Sequence, residues 1–165
     1  MIFLIASCSS PRPAEEPEAV PEMGGAESAE VAEVAEGLLV ALSAGDTATL
    51  SRLLAPGATI YSVRDDAGGP SLRSVTREAF LESLGGEDQN FLERMWDPKV
   101  QIQGRVAMVW TPYDFYLNGE FSHCGIDIFT MLKADEGWQV ASITYNVVRE
   151  GCEPSPLGPP GGSTT

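Results

Sequence analysis

Residues 105–148, RVAMVWTPYDFYLNGEFSHCGIDIFTMLKADEGWQVASITYNVV, decide the fold of this chain. β-Branched and aromatic residues alternate with polar ones over three runs, and the runs are broken at Asn118-Gly119 and near Ala134–Gly137. That pattern predicts three long antiparallel strands joined by two tight turns. Asn-Gly is the strongest hairpin signal in the chain, because both residues tolerate the positive φ of a type I′ turn. The stretch also holds His123, the single histidine.

A two-residue turn at Asn118-Gly119 sets Leu117 opposite Glu120, and counting back gives the rest of the register. Asp114 then faces His123, Pro112 faces Gly125, Trp110 faces Asp127 and Met108 faces Phe129. The second turn sets Asp127 against Thr144 and Gly125 against Asn146. Alternation along each strand sorts the side chains onto two faces. One is expected to hold Met108, Trp110, Asp114, His123, Asp127, Phe129, Met131, Ser142, Thr144 and Asn146. The other is expected to hold Val109, Tyr113, Phe115, Cys124, Ile126, Ile128, Ile143, Tyr145 and Val147. Both are too apolar for water, whereas an antiparallel sheet commonly leaves one face wet. Helices from the N-terminal half can cover one face, and a second copy of the chain, forming a homodimer through the outer sheet face, is the simplest cover for the other.

Upstream, Val31, Val34, Leu38 and Leu42 recur at helical spacing between glutamates, predicting an amphipathic helix from Ala29 that Gly45 stops. Asp46 caps a second short helix ending before Pro56, and Thr76 caps a third that carries Phe80, Leu81 and Leu84. Ala58–Val63 is β-prone, residues 65–70 form a loop, and Asn90–Trp96 and Val100–Ile102 are strand candidates separated at Pro98. The expected class is therefore α+β, with three N-terminal helices packed on a mainly antiparallel sheet.

With 165 residues and 43% hydrophobic content, the chain has material for one domain with a core. The net charge of −14 argues against binding a phosphate backbone, which needs clustered Lys and Arg. Half of that excess lies in residues 1–36, with one Arg against eight Glu. At the N-terminus, Ile5-Ala6-Ser7-Cys8 resembles the lipobox of bacterial lipoproteins, which implies acylation of Cys8 and an extracytoplasmic, membrane-anchored protein. The apolar stretch is short and lacks a basic n-region, as a start placed too late would explain. Read as a chance apolar start instead, the same residues leave the protein in the cytoplasm. Residues 9–29, rich in Pro, Glu, Ala and Ser, are expected to form a disordered tether to a domain over 30–150, and residues 151–165 a Pro/Gly tail without structure.

Three helices followed by a long, bent antiparallel sheet resemble the nuclear transport factor 2-like superfamily of cone-shaped α+β domains. The run W-T-P-Y-D-F-Y, the N-G turn, S-H-C-G-I-D-I-F and the G-W before the last strand are similar to its lumazine-binding or SnoaL-like branch. That resemblance implies an apolar pocket between the helices and the concave face of the sheet. It implies no particular activity, since the superfamily mixes enzymes with binding and scaffold proteins. No catalytic set of a characterised member can be matched here residue by residue.

Within such a pocket the expected site residues are His123, Asp127 and Asp114, with Trp110, Met108, Phe129, Thr144 and Asn146 as ligand contacts. Opposed Asp114 and His123 have Cβ atoms roughly 5 Å apart, close enough for a carboxylate to orient the imidazole as a base. His123 and Asp127, four residues apart on one strand, are separated by roughly 13 Å and form no direct dyad. Asp127, between Trp110 and Thr144, is the carboxyl whose pKa burial would raise; otherwise it belongs to a structural polar ladder. No metal is expected with a single histidine and no Cys/His spacing. No cofactor is expected either, for want of a Gly-rich phosphate loop. With Cys8 assigned to lipid, Cys124 and Cys152 remain, and an oxidising compartment would bridge them. The readings that follow are a domain binding a small, mostly apolar molecule, an isomerase or dehydratase using His123 or Asp127 for proton transfer, and a dimerising scaffold.

Overall fold

A computed structural model describes residues 25–66, 68–84 and 90–160; Cys8 and most of the acidic tether lie outside them. The chain order is α1 (Gly25–Ser43), α2 (Thr47–Leu53), β1 (Leu54–Asp66), β2 (Gly69–Thr76), α3 (Arg77–Ser83), β3 (Phe91–Met95), β4 (Lys99–Gln103), β5 (Val106–Leu117), β6 (Glu120–Ala134) and β7 (Gly137–Val147). The strands form one sheet in the order β2-β1-β7-β6-β5-β3, with β4 also on β5. Every pairing is antiparallel except β1 with β7. Strands β3 and β4 share one edge of β5, split where Asp97 takes a φ of 46° before Pro98.

The helix signals act as the sequence suggests. Asp46 accepts a hydrogen bond from the Thr49 amide (2.9 Å) and Thr76 from the Ala79 amide (3.3 Å), each satisfying a donor that the first helical turn leaves open. Gly45 closes α1 at φ 64°. Helix α1 begins at Gly25, earlier than Ala29, so residues 25–29 of the expected tether are helical. A salt bridge from Lys133 Nζ in β6 to Glu27 Oε1 (2.6 Å) ties that first turn to the sheet. The buried side of α1 (Val31, Ala35, Leu38, Leu39 and Leu42) packs with Val109, Phe129, Met131, Val140 and Ile143 of the sheet to make the core.

Strand β2 went unread because none of its residues is buried and its sequence carries no apolar alternation. At the other end of the chain, Cys124 and Cys152 form a disulfide with Cα atoms 6.1 Å apart. The segment expected to lack structure from residue 151 is thus bonded to β6 near its start, and it turns at Gly158, whose amide reaches the Ser155 carbonyl (3.1 Å).

The register of the long strands departs from the count by one. Leu117 does oppose Glu120 and Tyr116 opposes Phe121, but Phe115 opposes His123, leaving Ser122 as an extra residue. From there Asp114 pairs with Cys124, Tyr113 with Gly125, Thr111 with Asp127 and Val109 with Phe129. A second irregularity lies between β6 and β7, where Met131 pairs with Val140 but Thr130 with Ser142, so Asp127 meets Tyr145 rather than Thr144. Each bulge inserts one residue, bends its strand and reverses the facing of every side chain beyond it relative to the neighbour.

The expected faces are corrected accordingly. His123, Asp127, Phe129 and Met131 of β6 share the concave, helix-covered face with Val109, Thr111, Tyr113 and Phe115 of β5 and with Ile143 and Tyr145 of β7. Met108, Trp110, Asp114 and Thr144 lie on the other face.

Candidate functional site

Between α1, α3 and the concave face of the sheet is a cavity of about 230 Å³. Helix α1 contributes Leu38, Leu39 and Leu42, and the α3 end contributes Phe80, Ser83 and Leu84. Strands contribute Ile60, Val75, Phe91, Phe115, Ile143 and Tyr145. Two ionisable side chains stand among these apolar groups besides the tyrosine: Glu93 and His123.

His123 opposes Phe115 and stacks on its ring, with centroids 4.9 Å apart and planes inclined by 29°. The Tyr113 ring meets it edge-on at 5.7 Å. Its Nδ1 lies 3.0 Å from the Ser122 hydroxyl, the residue that the bulge displaces. Burial, then the positive charges of Arg149 and Arg64, push the imidazole pKa down to about 4. His123 is therefore neutral at pH 7.

The expected Asp114–His123 pair does not form. Asp114 sits on the other face of β5, 3% exposed, and accepts from two guanidinium nitrogens of Arg94, Nε and Nη2. Arg94 Nε lies 2.9 Å from Asp114 Oδ1, a two-point geometry that fixes both planes. The guanidinium also lies 5.2 Å from the centroid of the Tyr116 ring. Asp114 is thus fully engaged in a structural ion pair.

Asp127, 1% exposed, does not itself line the cavity. It does not sit between Trp110 and Thr144: across the ladders it meets Thr111 and Tyr145. Its ionisable neighbour on the same face is the side chain of Glu93, a residue absent from the expected site. Neither an amide nor a hydroxyl of the described residues serves Asp127 Oδ2. Two buried carboxyls side by side avoid facing like charges only when one of them carries a proton. Burial is the main cause raising both pKa values. Asp127 goes well above the usual carboxylate range, with the Glu93 charge and hydrogen bond raising it further. Glu93 is pushed up to about 7, its bond from Asp127 holding it down and the Asp114 charge raising it. Glu93, on the cavity wall, is accordingly the member that ionises near neutrality, while burial and the Glu93 charge hold Asp127 toward its protonated form.

None of Trp110, Met108, Phe129, Thr144 or Asn146 lines the cavity. Trp110 is on the outer face, 36% exposed, and Phe129 is sealed in the core. Asn146 braces the sheet instead: its Oδ1 accepts from the Ile126 amide (2.7 Å) and its carbonyl from the Tyr113 hydroxyl (2.8 Å). This close crossing requires glycine at 125, where a Cβ would fall 2.1 Å from the Asn146 carbonyl oxygen.

A family model described as "Putative lumazine-binding" matches residues 26–146. No curated protein matches the sequence. Among solved structures, the chain is similar to a nuclear transport factor 2-like superfamily protein from Salmonella enterica (15% identity, TM-score 0.60, covering 76% of this chain and 94% of that one). It is similar to a "putative dehydratase" of the nuclear transport factor 2-like family from Streptomyces avermitilis (17% identity, TM-score 0.59, 74% and 96%). It is also similar to the beta subunit of a "putative aromatic-ring-hydroxylating dioxygenase" from Novosphingobium aromaticivorans (9% identity, TM-score 0.60, 82% and 97%). At these identities the likeness is one of fold: helices on a curved, open, mostly antiparallel sheet, as in nuclear transport factor 2-like domains.

Proposed function

The chain belongs to the family described as "Putative lumazine-binding", and on that premise we propose that it binds a small, mostly apolar molecule in the cavity of its cone. The supporting observation is the cavity itself. Its wall is apolar except for a few convergent polar groups, the usual character of a small-molecule site. At about 230 Å³ it is smaller than the roughly 300–1,000 Å³ of drug-sized sites, so the ligand is of fragment size. Titration with a neutral naphthalene-class compound, followed by calorimetry, tests this. Saturable one-to-one binding that is abolished by filling the cavity with Ile143→Trp is expected. No saturable binding by a panel of apolar fragments rejects the reading.

Location and assembly belong to the same proposal. The lipobox-like Ile5–Cys8 favours an extracytoplasmic protein anchored through a lipid on Cys8, and mass spectrometry of native protein would detect the acyl mass. The outer sheet face carries exposed Val106, Trp110 and Leu132, which favours a homodimer through that face; sedimentation of a Trp110→Glu variant as a monomer is the expected outcome. A second reading, an isomerase or dehydratase acting by proton transfer, is favoured by Glu93 and His123 lining one cavity. A carboxyl titrating near 7 suits a general base at neutral pH.

A further inference from the structure

Among the described residues, no cationic side chain acts on Glu93, the carboxyl in the cavity wall. Glu93 points from β3 into a mostly apolar space, and groups from several elements surround it. From β6 come Asp127, bonded to it, and His123, which is uncharged at neutral pH. From β5 come Tyr113 and, through the sheet, Asp114, whose charge repels it. From β7 comes Tyr145. Helix α1 offers the Ser43 hydroxyl, whose oxygen accepts from the Glu93 backbone amide (3.3 Å). Two arginines come from nearby backbone, and neither serves Glu93. Arg94, the next residue, is on the opposite face in Asp114's grip. Arg64 of β1, whose buried Nε has no partner among the described residues, acts on Tyr113, Tyr145 and His123 but not measurably on Glu93.

A carboxylate kept in an apolar wall without a cation is costly to the fold. A ligand that supplies the cation recovers that cost on binding.

We propose that the Glu93–Asp127 pair is a recognition site for a protonated nitrogen, so that the cavity's ligand is a small amine or amidine on an apolar body. Asp127 acts as a positioning residue: its proton bonds Glu93 from beneath and leaves the outward carboxylate oxygen to accept from the ligand. The apolar body lies against Leu38, Leu42, Phe91 and Phe115. His123 adds no repulsion, because the imidazole is neutral. The inference rests on the small-molecule reading above and adds the ligand's charge to it.

The test uses the full chain and three compounds of one shape: 1-naphthylmethylamine, 1-naphthalenemethanol and 1-naphthoic acid. The amine stays protonated from pH 5.5 to 8.5, whereas Glu93 ionises within that range. At pH 8.5 the amine is expected to bind about tenfold or more tighter than the alcohol, the value of one charged hydrogen bond. That preference should shrink at pH 5.5, and in Glu93→Gln it should vanish at either pH. Equal affinities for amine and alcohol at pH 8.5 overturn the amine site and leave the apolar cavity standing. So does an amine preference that ignores pH, or tightest binding by the acid. Failure of all three compounds to bind overturns the cavity reading as well. Should Glu93→Gln fail to fold, the pH dependence in the unaltered protein, with the alcohol as control, decides alone.

Discussion

Glu93 and Arg94 are neighbours on β3, yet they meet opposite electrostatic fates. Arg94, facing outward, finds Asp114 directly across the ladder and makes a two-point ion pair. Glu93, facing inward, finds another acid, Asp127. Asp114 and Asp127 are buried, Arg94 nearly so, and Glu93 half-buried at the cavity wall. The outer pair balances its charges and holds the sheet edge; the inner one leaves a net charge in a hollow. A fold has reason to build the first for its own sake. The second costs stability, and such costs concentrate where a site has work to do.

Breaking the outer pair should have the largest effect. Arg94→Met leaves Asp114 buried and unpaired, and a loss of about 3–5 kcal/mol in urea unfolding is expected. The disulfide acts on the same face, since Cys124 stands opposite Asp114. Cys152→Ser opens a loop spanning 28 residues and should cost about 3–4 kcal/mol by the chain-entropy relation. A loss below about 1 kcal/mol in either variant would remove the contrast between the two faces.

The inner pair should respond with the opposite sign. Glu93 has a folded pKa of about 7, above its ordinary 4.5. The folded state therefore binds the extra proton between those values, and its stability is full below pH 4.5 and lost as pH rises through 7. Glu93→Gln fixes the neutral form. It should be more stable than the unaltered protein at pH 8, by on the order of 2–3 kcal/mol, and indistinguishable at pH 4.5. His123 runs the other way. Its folded pKa of about 4 lies below the ordinary 6.5, so stability is full above pH 6.5 and falls as the pH drops toward 4. His123→Phe should remove that acid-side loss, worth on the order of 1–3 kcal/mol, which is the smallest of these effects. Thermal melts across pH 4–8 would show both slopes, opposed between pH 4.5 and 6.5.

How much of this was legible beforehand follows from what each signal depends on. Turn chemistry is local, so Asn118-Gly119, Gly45, Asp46 and Thr76 announced their roles directly. The strands of the long run were visible too. Their register was not, because Ser122 and the residue between Val140 and Ser142 bulge without any residue type that marks a bulge. That slip put Asp114 beside His123 on paper and beside Cys124 in the fold. It also sent Trp110, Met108 and Thr144 to the wrong side of the sheet. Asp127 was recognisable as a desolvated carboxyl from its apolar strand, although its partner was misassigned. Glu93 was missed for a simpler reason. Alternation along β3 sets Phe91, Glu93 and Met95 against Leu92 and Arg94, so an acid on an aromatic face is the signal that marks Glu93.

The most direct measurement is the carboxyl titration of Glu93 and Asp127 in ¹³C-labelled protein, followed by NMR from pH 3 to 9. Glu93 should ionise with a midpoint near 7 and Asp127 well above the ordinary carboxylate range, and Asp127→Asn should move the Glu93 midpoint. If both carboxyls ionise independently near pH 4, no proton is shared between them, and the cavity has no charge-selective wall.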